Sequence, residues 1–193
     1  MSEDYQIWFP HEVFYIESLL SITRTIQSEV NAVEFILKEL ESGEHKNENI
    51  LIDAVQNICT QTALISKFFW PITKDKIHKV RGQKLREVYK ITETSRLKTK
   101  EVRNFIEHFD EKLDLFLHKF QAGSIIPRYV GSRINKEATV IFRAYFIEEA
   151  VFKIFDLEYE LNPILNEIKT LHIMLEQDMI KGRFSNHEQQ VRN

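Results

Sequence analysis

Side chains whose types and spacing could do chemistry fall together in one short stretch, Arg103-Asn104-Phe105-Ile106-Glu107-His108. Projected at about 100° per residue, Val102, Phe105, Ile106, Phe109, Leu113, Phe116, Leu117 and Phe120 form one apolar stripe. Asn104 and His108 lie a turn apart on the side roughly opposite, with Glu111 and Leu115 near them. Arg103 sits on the flank, where a long stem could swing its guanidinium toward the pair. A His on the outer face is either a solvated residue or part of a site. The trio suits one reaction well, the cleavage of RNA through its own 2′-hydroxyl. The nucleophile must lose a proton and the leaving 5′-oxygen must gain one, and a His near its ordinary pKa of about 6.5 can do both. A guanidinium offers forked donors matched to phosphate oxygens. An Asn can orient either group, and no metal is needed.

Chance alone gives about one Arg followed by His at four to six intervening residues in a chain with ten Arg and seven His. Asn directly after the Arg, on an amphipathic helix beside a basic segment, makes the match more specific. The stretch Arg103 to His108 resembles the Arg-x(4–6)-His motif of HEPN domains, in which a polar residue, often Asn, follows the Arg. The resemblance implies a helical bundle that dimerises and brings two motifs into one composite cleft. It also implies a metal-independent endoribonuclease of the toxin or phage-defence kind, with RNA as substrate and an antitoxin protein as a possible partner. Carried over by position, Arg103 would be the phosphate and transition-state group, His108 the acid/base and Asn104 the positioning group. Some such domains carry a Tyr two residues after the His, where this chain has Asp110. Other members bind nucleic acid or protein without cutting, and that alternative stands beside the nuclease, as does a helical scaffold with a coincidental motif.

The elements that must position these residues read as helices. Pro10 and Gly43 bracket a helix from about His11 to Leu40, with apolar residues at three- and four-residue steps. A second runs from about Ile50 to Phe69 and stops at Pro71. A third, short and basic, covers about Lys76 to Ile91, and the motif helix about Leu97 to Phe120, before Gly123. Residues 124–130 are β-branched but interrupted by Pro127, so at most an edge strand. Residues 138–147 and 151–157 are rich in β-formers and predict a β-hairpin at about 138–157. Asn162-Pro163 then starts a last helix to about Met179. The fold class expected is mainly α, an antiparallel HEPN-like bundle with a small hairpin inserted before the last helix. The domain spans 1–182, and a polar, frayed tail covers 183–193.

Composition narrows the classes. The chain has 193 residues, enough for one core without staples. Five Gly, in no phosphate-binding pattern, exclude dinucleotide and P-loop fingerprints. A single Cys59 excludes a disulfide framework and a Cys-based zinc site. No Glu-x-x-His pair or His-Glu-x-x-His helix occurs, so neither a metal nor another cofactor is expected. The acidic start and the lack of a long apolar run predict a cytoplasmic protein without a membrane span. The net charge of −3 conceals a segment from Lys67 to Arg103 with twelve Lys/Arg against four acids. Such a segment could attract phosphate or be a solvated face. Trp8 and Trp70 are expected to be packing anchors, His118 a surface residue and His172 structural. Arg143 and Lys153 are expected on the outward face of the hairpin.

Overall fold

The computed structural model describes residues 6–43, 47–73, 75–119, 123–134 and 139–187. Among these residues, six α-helices and a four-stranded sheet follow a 3-10 turn at Phe9–His11. The helices are α1 (Glu12–Glu41), α2 (Glu48–Phe69), α3 (Lys76–Val88), α4 (Lys100–Glu107), α5 (Phe109–His118) and α6 (Leu161–Lys181). The strands are β1 (Ser124–Gly131), β2 (Thr139–Phe146), β3 (Val151–Ile154) and β4 (Leu157–Glu160). The helical class is therefore as expected.

Helix α2 is the centre of the molecule. Its apolar residues recur around most of its circumference, with Leu51, Ile58, Ile65 and Phe69 inaccessible to solvent or nearly so. That pattern belongs to a helix covered on several sides. Helix α1 packs along it and contributes Ile16, Leu19 and Leu20 to the shared core, and α6 packs on α1 and adds Ile168, Leu171 and Leu175. Helices α3 and α4 cover other parts of α2, and the sheet lies against it through β1 and β2.

The strands are arranged β1-β2-β3-β4, with β1 parallel to β2 and the other pairs antiparallel. β2 and β3 occupy the region expected to form a hairpin, but pairing extends on both sides. β1 uses the Pro-interrupted segment as an edge, where a missing N–H is tolerated. The turn into β4 places Phe155 at φ 52°, a left-handed conformation unusual for a bulky residue. It lets the Phe155 ring meet Phe105, Phe109, Phe116 and Phe142 at centroid distances of 4.8 to 5.7 Å. Ala138, the expected first residue of the hairpin, lies outside the described residues.

Three expectations about elements are corrected. The motif helix is not continuous from Leu97. Residues 96–99 form turns, α4 starts at Lys100, and the helix bends at His108, where φ is −124° and ψ 37°. Backbone bonds continue across the bend, from His108 N to Asn104 O and from Lys112 N to His108 O. The bend lets Phe105, Phe109 and Phe116 all reach Phe155. The expected end at Phe120 lies outside the described residues. Trp8 is not a packing anchor; it is 64 % exposed, with its ring edge-on to His11.

The first residues after Gly182 are held down rather than frayed. Asp178 is fully buried in α6, and its carboxylate accepts from Ser185 N at 3.0 Å and Tyr89 Oη at 3.1 Å. His187 Nε2 lies 3.1 Å from the same carboxylate, and its ring stacks on Tyr89. Phe184 N donates to Glu12 on α1. Residues 188–193 of the expected tail lie outside the described residues.

Candidate functional site

Pro71 makes the C-terminus of α2 a problem that the surrounding sequence has to solve. The last carbonyls of a helix have no intrahelical donors and carry the negative end of its dipole. A Pro follows at once, so no glycine cap closes this end. Three guanidiniums arrive instead. Arg81 donates through Nη2 to Lys67 O at 3.0 Å and through Nε to Phe68 O at 3.4 Å. Arg86 donates to Phe69 O, and Arg103 Nη1 donates to Trp70 O at 2.7 Å. Gly82 makes the approach possible, because a Cβ there would stand 2.6 Å from Phe69 O and 2.7 Å from the Pro71 ring. Aromatic faces receive two of the cations, with Arg81 over Phe68 and Arg86 over Trp70.

Acids balance this cluster. Glu107 pairs with Lys67 at 2.5 Å, and Glu93 takes Lys98 at 2.7 Å, Arg86 at 3.4 Å and the Trp70 indole at 3.2 Å. The hydrogen bond from Lys67 holds the Glu107 carboxyl below the usual carboxylate range. Burial pulls the Arg103 guanidinium below its ordinary value, with Glu107 opposing the effect.

The three motif residues are thus divided. Arg103 is only 4 % exposed, and its stem runs into the α2–α4 contact rather than toward Asn104 and His108. It does not swing outward as the helical projection allowed, because Trp70 O offers it a partner inside. Its Nε is buried without a hydrogen-bond partner among the described residues. Asn104 is exposed, and the His108 side chain is half exposed with Nδ1 3.4 Å from Glu111. Among the exposed charged residues next to His108 in the chain, Asp110, Glu111 and Asp114 stand against Lys112, while Glu107 is paired with Lys67. The flank of the motif is therefore acidic. Exposed Lys76, Lys79 and Lys84 lie on α3 instead.

The arginines at 81 and 86 were not singled out in the sequence. The usable signal was a helix ending on Pro71 without a glycine cap, followed by an Arg-Gly pair. His172 is structural as read, with Nδ1 2.8 Å from the buried Thr23 hydroxyl. His118 is exposed. Arg143 is not an outward sheet residue; it reaches α2 and bonds Gln56 at 2.8 Å and Asp53 at 3.4 Å. Lys153 lies 3.7 Å from Glu158.

Fold and site together define a mainly helical protein with a small mixed sheet, whose motif helix caps a neighbouring helix with one residue and shows solvent two others. Compared with known proteins, the chain matches no family model, no curated sequence and no solved structure. Among the described residues, no helix is long and apolar enough to cross a membrane, and no group of three His, Cys, Asp or Glu is placed to hold a metal ion.

Proposed function

We propose that the chain is a HEPN-like module that self-associates through its motif helix and binds a protein partner rather than cutting RNA. The observation that carries this reading is the commitment of Arg103 to the Trp70 carbonyl, which leaves the motif without its phosphate-binding side chain. The acidic surface around His108 would repel a phosphodiester and suits a basic protein surface. The lysines of α3 on a second copy offer such a surface. Leu115, 62 % exposed and about two turns beyond His108, adds apolar contact area.

The test is solution mass by light scattering across protein concentration and salt. A dimer that weakens with salt, and that Asp110→Lys with Glu111→Lys breaks, supports the reading. Restoration of that dimer by Lys79→Glu with Lys84→Glu identifies α3 as the facing surface. A monomer at all concentrations contradicts it.

A second reading, a metal-independent endoribonuclease with Arg103, Asn104 and His108 acting from both chains, is favoured by the exposed Asn104 and His108 one turn apart. It requires association to release Arg103 from Trp70 O. Its test is RNA cleavage in EDTA by the wild type and not by His108→Ala, leaving 2′,3′-cyclic phosphate ends. Restraint by an antitoxin protein would belong to this reading alone.

A further inference from the structure

We draw no further inference here: the strongest candidate, the open-mouthed cavity of about 210 Å³ between α2, the α4–α5 bend and the sheet, is walled mainly by apolar side chains such as Phe105, Phe109 and Phe152, and nothing in the structure shows what covers it.

Discussion

Replacing Arg103 with Ala separates a structural arginine from a catalytic one before any substrate is chosen. The substitution removes the 2.7 Å bond to Trp70 O at the negative end of α2 and the packed stem of a side chain only 4 % exposed. Hydrogen bonds to charged groups contribute about 1.5–3 kcal/mol, and the orphaned carbonyl and lost stem contacts act in the same direction. Part of this is offset, because the buried guanidinium no longer has to be desolvated and its unpartnered Nε disappears. The expected loss is about 2–3 kcal/mol, and a chain of this size shifts by about 2–4 °C per kcal/mol. Thermal unfolding followed by circular dichroism should therefore show a Tm lower by about 4–12 °C. Arg103→Lys should recover roughly half, because one ammonium can reach a carbonyl but cannot fill the fork's volume. Asn104→Ala and His108→Ala remove exposed side chains and should stay within about 0.5 kcal/mol of the wild type. A Tm for Arg103→Ala within about 1 °C of wild type would refute the capping role and return the guanidinium to the list of groups free for catalysis.

Gly82→Ala should destabilise by about 1–3 kcal/mol in urea unfolding, because its Cβ meets backbone at Phe69 and the Pro71 ring; an unchanged midpoint would mean that α3 does not sit where described. Asp178→Ala leaves the Tyr89 hydroxyl and Ser185 N without their shared acceptor. It should cost about 2–6 kcal/mol, since two buried donors lose their acceptor at about 1–3 kcal/mol each, and raise hydrogen exchange at Ser185. Tyr159→Phe should raise stability by about 1 kcal/mol, since it deletes an unpartnered buried hydroxyl; destabilisation would mean that the hydroxyl has a partner in solution. The carboxyls of Glu107 and Glu158 are held below their ordinary range by Lys67 and Arg133 respectively. Their contribution is present above the unfolded value of about 4.3 and is lost as the pH falls through the depressed folded values. Glu107→Gln should flatten the acid side of the stability–pH curve, and an unchanged slope would contradict the Lys67 pairing.

The helices were legible because burial on one side imposes a period that the apolar residues obey. Pro71 and Asn162-Pro163 marked real boundaries, and α6 begins within one residue of the second. The bend at His108 was not legible. The residues from Val102 to Phe120 keep helical spacing, and the bend arises from three phenylalanines converging on Phe155, some forty residues on. The extent of the sheet escaped for other reasons, since β1 carries Pro127 and pairs in parallel with a strand some fifteen residues on, and β4 is only four residues long and joined to β3 by a two-residue turn. Arg103 shows the limit of a helical projection. The wheel gives the direction of Cβ, but a long side chain goes where an acceptor lies, and Trp70 O belongs to another helix. The basic segment misled in the same way, because three of its twelve cations turn inward to one helix end.

Incubation of RNA with the purified, self-associated protein in EDTA tests the binding-module reading most directly, with product ends examined for 2′,3′-cyclic phosphate. Intact RNA is expected at protein concentrations where the dimer is fully populated, for the wild type as for His108→Ala. Cutting by the wild type that His108→Ala abolishes would contradict it, and would mean that Arg103 leaves Trp70 to meet a phosphate.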